Sequence, residues 1–207
     1  MRFSEEEFAK VKLMLSSYGW ALNTLMTKLK IVHADLRDFR DVDAIDYIAS
    51  RVKAPESIAK KLHKLGLPIT AQSARENLFD IAGARIICHF NKDIYMLAEI
   101  IKAMPDIAVI NEKDYVSNPK LSGYRSYHLL VTVPVFFGGQ TQNVTCEVQI
   151  RTEAMNFWAT LEHKVRYKYQ GDIPKHLSDE LAIIADKIDE LDKRMFTIHD
   201  IISFINS

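Results

Sequence analysis

The run from Val144 to Arg151 constrains this chain more tightly than any other, because its apolar and polar residues alternate without interruption. A strand sends successive side chains to opposite faces, so Cys146, Val148 and Ile150 share one face and Glu147, Gln149 and Arg151 the other. The apolar face must lie against a core. Three polar side chains in a row are costly to bury unpaired, so their face is either an ordinary solvated sheet surface or the wall of a wet cleft. Periodicity alone does not separate these readings; the rest of the chain favours the cleft. With 207 residues and 48% hydrophobic content the chain can bury the core that such a strand needs.

The elements around that strand follow from local signals. Ser4 and Glu7 read as a capping box, with Phe3 and Phe8 as the staple of a helix start. From there Phe8, Val11, Leu15, Tyr18, Leu22, Leu25, Leu29 and Val32 step by three and four, which predicts one long amphipathic helix. Residues 35–46 are charged and lack clear periodicity, and 47–53 reads as a short first strand. Pro55 suits a first helical turn, so a helix is predicted over 56–65, stopped by Gly66. A helix over 71–79 leads into a strand through Phe90, where Gly83 lets the backbone turn closely and Arg85, in an otherwise apolar run, needs a partner. Next come a helix over 91–104, a strand over 107–116, a turn-rich loop over 118–128 and a strand over 129–135. Gly138-Gly139 is a hairpin signal that returns the chain into the alternating strand. Thr152 caps a helix on which Met155, Trp158, Ala159 and Glu162 fall on adjoining faces. Gly171 and Pro174 break the chain, and Ser178 starts a last helix on which Leu181, Ile184, Ile188, Leu191, Met195, Ile198, Ile202 and Ile205 again step by three and four. The fold class is α+β, a mixed sheet flanked by helices.

Lysine plus arginine equals aspartate plus glutamate at 27 each, so no net field recruits nucleic acid or an anionic membrane, and any basic site is a local concentration. Cys88 and Cys146 lie in apolar runs without metal-ligand spacing and read as buried thiols in a reducing compartment. The N-terminus shows no apolar signal core and no later run is long enough to span a bilayer, so a cytoplasmic location is expected. One basic concentration joins Arg51 and Lys53 to Ser57, Lys60, Lys61 and Lys64 at the next helix, either an anion site or a solvated cationic face. In the turn-rich loop Tyr124 suits stacking on a nucleobase, and Lys120 and His128 suit phosphate; a core tyrosine and a satisfied histidine are the bland alternatives.

Taken together these segments resemble a known family. Arg51-Val52-Lys53 with Ser57 and Lys61, Asp80-Ile81-Ala82-Gly83-Ala84-Arg85, Lys113-Asp114-Tyr115, Pro119-Lys120 with Gly123-Tyr124 and His128, and Glu147 to Thr152 follow the order and rough spacing of the RelA/SpoT synthetase domain. The short chain, with Met155 to Trp158 and Glu162 to Lys164, looks like the small, single-domain alarmone synthetases of the RelQ type. The resemblance implies a nucleotidyltransferase-like sheet and transfer of pyrophosphate from ATP to the ribose 3′-hydroxyl of GDP or GTP, giving ppGpp or pppGpp. It implies that Asp80 and Glu147 hold Mg²⁺, with Glu147 also accepting the proton of the attacking hydroxyl. Arg51 and Arg85 would sandwich adenine while Lys53, Ser57 and Lys61 hold ATP phosphates. Tyr124 would stack on guanine, Asn156 contact its edge, Gln149 orient the ribose, and Lys113, Lys120 and His128 take the acceptor phosphates. Arg151 stays open between a phosphate contact and a structural ion pair.

The same resemblance divides the chain into an N-terminal helical extension (1–46), a catalytic core (47–170) and a C-terminal helix for oligomerisation (171–207), one domain overall. It implies a homotetramer built through the terminal helices, with room between subunits for a regulatory ligand, an alarmone or RNA. Ser122 departs from the asparagine usual in the long bifunctional relatives, which touches one acceptor contact. Nothing resembling their metal-dependent hydrolase precedes Tyr47, and the His199-Asp200 pair lies in the last helix, so synthesis without hydrolysis is expected. Two alternatives remain: a pyrophosphokinase acting on adenosine nucleotides or tRNA, and a catalytically silent nucleotide- or RNA-binding regulator. Retention of Asp80 and Glu147 argues against the second.

Overall fold

The computed structural model describes residues 2–168 and 173–205. Its centre is the alternating strand, β5 (Gln140–Thr152), which runs parallel to β2 (Ala82–Cys88) and antiparallel to β4 (Tyr127–Phe137). β1 (Ile45–Val52) pairs antiparallel with the outer edge of β2, and β3 (Ala108–Asp114) with β4. The five strands form one mixed sheet in the order β1-β2-β5-β4-β3 among the described residues. The hairpin between β4 and β5 turns on Gly138 and Gly139, both at positive φ, the geometry a two-residue turn needs to match strand twist. As the alternation requires, Cys146, Val148 and Ile150 are fully buried.

Two helices cover that apolar face, α1 (Glu5–Phe39) and α4 (Asn91–Lys102). On α1 the buried stripe is Val11, Met14, Tyr18, Ala21, Leu22, Leu25, Leu29 and Leu36, all within the core of the sheet. The N-terminal helix is therefore part of the core and not an extension beyond it: its apolar stripe is consumed by its own sheet. It also runs past Val32, because Leu36 is buried and the charges beyond it pair locally, Arg37 with Asp38 at 2.7 Å and Arg40 with Asp35 at 2.8 Å. Ser4 caps α1 by accepting from the Glu7 amide at 3.2 Å, while Glu7 directs a carboxylate oxygen to the Ala71 amide at 2.9 Å in the first turn of α3 (Ala71–Asn77). Phe8 is half exposed, so the predicted staple is not a buried contact.

The opposite sheet face stays open at its centre. β1 leads through Ala54 into α2 (Pro55–Lys64), which ends at Gly66 with φ +70, as the sequence predicts. After β5, Thr152 caps α5 (Glu153–Lys168) by accepting from the Met155 amide at 3.2 Å. The last helix, α6 (Lys175–Ile205), begins three residues before Ser178, directly behind Pro174, whose carbonyl accepts from the Leu177 and Ser178 amides. Gly171 lies outside the described residues. The first half of α6 docks on α5 and on the 118–128 loop: Trp158 donates to the Leu181 carbonyl at 3.1 Å, and Arg125 pairs with Asp186 and Asp189 at 3.1 and 3.2 Å. Its second half carries Leu191, Met195, Ile198, Ile202 and Phe204 with more than half of each side chain exposed.

Candidate active site

Strand register brings the predicted residues into two adjacent rows on the open face. In one row Arg51 lies opposite Gly83 and Gly83 opposite Glu147; in the next Arg85, Gln149, His128 and Lys113 follow one another across four strands. Gly83 sits within regular strand and not at a turn, since its φ is not positive and an added Cβ would meet only the Glu147 carbonyl oxygen at 3.8 Å. Its bare backbone keeps the sheet floor clear between Arg51 and Glu147.

A lysine-rich side is built where β1 leaves the sheet. The Lys53 amide donates to the Ile81 carbonyl at 2.7 Å and thereby places the Lys53 ammonium beside Asp80, 2.5 Å from Oδ2. Lys61 approaches the same oxygen at 2.8 Å from the last turn of α2. Burial would push the Asp80 carboxyl up, but these two ammonium groups outweigh it and hold the group below the usual carboxylate range. Arg51 and Ser57 are exposed at the rim. Arg85 meets Asn156 Oδ1 at 3.5 Å, so the partner its strand position demands is a neutral amide, and its Nε stays buried without one. Asn156 also donates to the Tyr47 hydroxyl at 3.0 Å, which puts this predicted guanine contact against the adenine-side arginine.

The aromatic side closes a ring of hydrogen bonds. Glu147 Oε1 bonds His128 Nδ1 at 3.0 Å; His128 Nε2 bonds the Tyr124 hydroxyl at 2.8 Å; Arg151 Nη2 donates to that hydroxyl at 2.5 Å and to Gln149 Oε1 at 2.7 Å; Gln149 Nε2 donates to Glu147 Oε2 at 2.8 Å. Arg151 is buried, and its hydrogen-bond partners are the Tyr124, Gln149 and Ser126 side chains. Tyr115, to which the sequence alone assigns no role, packs edge-on against Tyr124 and His128, and the Lys120 ammonium lies 4.6 and 4.7 Å from the Tyr115 and Tyr124 ring centres. Lys113, Tyr115, Lys120, His128 and Glu147 line a cleft of 490 Å³. Burial pushes the Glu147 carboxyl up, yet the bonds from His128 and Gln149 keep it below the usual range, against repulsion from Asp80.

Asp80 lies two residues before β2, and Gly83 of β2 lies opposite Glu147, so strand register carries the two carboxylates on neighbouring strands. Asp80 Oδ1 is buried and has no hydrogen-bond partner, an unusual state for a charged oxygen. A partnerless carboxylate oxygen with a second carboxylate on the neighbouring strand fits Mg²⁺, which binds one or two protein carboxylates and completes its shell with phosphate and water oxygens. Among the described residues no group of three or more His, Cys, Asp or Glu side chains is placed to hold a metal ion.

Residues 50–172 match the family described as the region found in RelA/SpoT proteins. The GTP pyrophosphokinase YwaC of Bacillus subtilis is 42% identical over 181 residues, covering 87% of this chain and 86% of that protein. The crystal structure of small alarmone synthetase 1 from Bacillus subtilis bound to its product pppGpp superposes with a TM-score of 0.81 at 37% identity, over 88% of this chain and 93% of that one. The same synthetase bound to AMPCPP gives 0.76 at 33% identity, over 93% and 97%. With motif order, sheet register and near-full-length similarity in agreement, the chain belongs to the RelA/SpoT family.

Proposed function

We propose that this protein synthesises the alarmones ppGpp and pppGpp by transferring pyrophosphate from ATP to the ribose 3′-hydroxyl of GDP or GTP, with Mg²⁺, and does not hydrolyse them. The observation that carries this reading is the placing of two carboxylates on neighbouring strands, Asp80 with its partnerless oxygen beside Lys53 and Lys61, and Glu147 in the wall of the cleft lined by Lys113, Tyr115, Lys120 and His128. The new bond joins the 3′-oxygen to the β-phosphorus of ATP, the bond from that phosphorus to the α,β-bridging oxygen breaks, and AMP leaves.

Each side chain then has a defined task. Lys53 and Lys61 exchange Asp80 for phosphate oxygens, joined by Ser57 at the start of α2, while Arg51 and Arg85 lay their guanidinium planes against adenine. Lys113 and Lys120 stand on the acceptor's phosphate side, Tyr124 supplies the ring for guanine, Asn156 its edge contact, and Gln149 orients the ribose. Glu147, kept charged by its donors, takes the proton from the 3′-hydroxyl. Asp80 and Glu147 would hold Mg²⁺, which neutralises phosphate charge and polarises the phosphoryl group under attack.

The reading includes assembly as a homotetramer through α6, supported by the row of exposed apolar side chains beyond Asp189. His199, half of the one His-Asp pair resembling a hydrolase ligand motif, stacks on Phe90 at 4.6 Å, a packing role. None of the described helices is long and apolar enough to cross a membrane. The test is incubation with ATP, Mg²⁺ and each of GMP, GDP, GTP, AMP and deacylated tRNA, with products resolved by chromatography. Product from a guanine acceptor is expected; product from AMP or tRNA alone overturns the acceptor assignment, and product from none of them overturns the reading.

A further inference from the structure

His128 sits at the junction of two networks, and its chemistry there differs from that of a phosphate ligand. Both ring nitrogens are engaged inside the protein, at 3.0 Å to Glu147 and 2.8 Å to Tyr124, and 15% of the side chain is exposed. The directions are set from both ends of the ring, because Arg151 can only donate and the Glu147 carboxylate can only accept. Because Arg151 donates to the Tyr124 oxygen, the hydroxyl proton is free to point at His128 Nε2. Nε2 then accepts, the ring proton resides on Nδ1, and Nδ1 donates to Glu147 Oε1. Arg151 likewise fixes Gln149 with its amide nitrogen toward Glu147 Oε2. Both oxygens of the carboxylate are thereby held by donors whose orientation is set by one buried guanidinium, itself anchored on fully buried Ser126.

We propose that His128 is a positioning residue: its Nδ1 aligns Glu147, and the Tyr124 hydroxyl fixes the imidazole tautomer, so that the base is set only when the acceptor loop is seated. The inference rests on Glu147 serving as the base of the proposed transfer. It gives Tyr124 two separable parts, a ring face for the acceptor base and a hydroxyl in the ring plane that acts through His128. Seating of the loop has its own support, since Gly123, at φ +85, lies against Ala185 of α6, and Arg125 pairs with Asp186 and Asp189.

The two amide replacements of histidine separate the roles, because asparagine places its nitrogen near the Nδ1 position and glutamine near Nε2. His128→Asn, His128→Gln and Tyr124→Phe are compared with wild type for kcat and acceptor KM, for GDP binding by calorimetry without ATP, and for melting temperature. Expected are His128→Asn within about tenfold of wild-type kcat, His128→Gln lower by about a hundredfold or more, and Tyr124→Phe lower by about tenfold, with GDP affinity within about threefold throughout. A phosphate ligand predicts the reverse, with GDP affinity falling about tenfold or more in both His128 variants while kcat holds, and that result overturns the proposal. Equal kcat in folded His128→Asn and His128→Gln also overturns it, as does full activity in Tyr124→Phe. A wild type that makes no product in the same assay shows failure of the underlying transfer itself, and the proposal falls with it.

Discussion

Lys53 holds the best-enclosed charge contact on the donor side, and its removal should be visible in stability before any substrate is added. Its side chain is 13% exposed and its partner Asp80 30%, whereas Lys61 is 40% exposed. Lys53→Met keeps the apolar stem and deletes the ammonium. Exposed ion pairs contribute about 0–1 kcal/mol, and stranding a buried charge costs about 3–5 kcal/mol. Asp80 lies between these limits and retains Lys61, so about 2 kcal/mol is expected at neutral pH, a fall of about 4–8 °C in melting temperature for a domain of this size. The pH dependence has a definite sign. The folded-state pKa of Asp80 is depressed, so its contribution is present above the ordinary carboxylate value and lost as the pH falls through the folded value. Urea unfolding of wild type and Lys53→Met, at one protein concentration, should show the full difference at pH 7, a narrowing gap below about pH 4, and none once Asp80 is protonated in both. A gap that is absent at pH 7, or that persists unchanged into acid, refutes the ion-pair account of how Asp80 is held.

Other changes probe the acceptor side and the assembly. Tyr124→Ala should weaken the guanine acceptor by about 1–3 kcal/mol while leaving ATP affinity nearly unchanged, measured nucleotide by nucleotide; equal weakening of both favours a purely structural tyrosine. Gly123→Ala forces a Cβ to within 2.4 Å of Ala185 Cβ at φ +85, so a loss of about 2–4 kcal/mol and poorer acceptor binding are expected, and a wild-type melting curve would contradict the packed-loop geometry. Light scattering should give a tetramer for wild type and a smaller species for Ile188→Asp combined with Met195→Asp, and a wild type that runs as a monomer at micromolar concentration ends the assembly proposal.

Much of this architecture is legible along the chain because period and burial are local. The alternation from Val144 to Arg151 sorts its six last residues onto the faces they occupy, and Gly66, Gly138 and Gly139 fall where positive φ is required. The limits are tertiary. Two helices with the same three-and-four stepping look alike in sequence, yet α1 lies along the sheet and α6 keeps its second half open, because only contacts distant in the chain decide which stripe meets the core. Arg151 could be placed on the polar face but not assigned, since its partners Tyr124 and Ser126 come from the loop before β4, some 25 residues away. The pairing of Arg125 with Asp186 and Asp189 spans about 60 residues, and no motif signals it. Asn156 was legible as a first-turn residue near the strand end, but its contact with Arg85 depends on how α5 crosses β2.

The central claim is that Glu147 performs the chemistry in the cleft it lines with Lys113, Tyr115, Lys120 and His128. Glu147→Gln preserves size and most hydrogen-bonding capacity while deleting the charge that serves both proton acceptance and metal binding. Single-turnover transfer from labelled ATP to GDP should therefore fall by at least about a hundredfold, with melting temperature and ATP affinity close to wild type. Near-wild-type transfer by this variant would contradict the account, because the 3′-hydroxyl would then lose its proton without the Glu147 carboxylate.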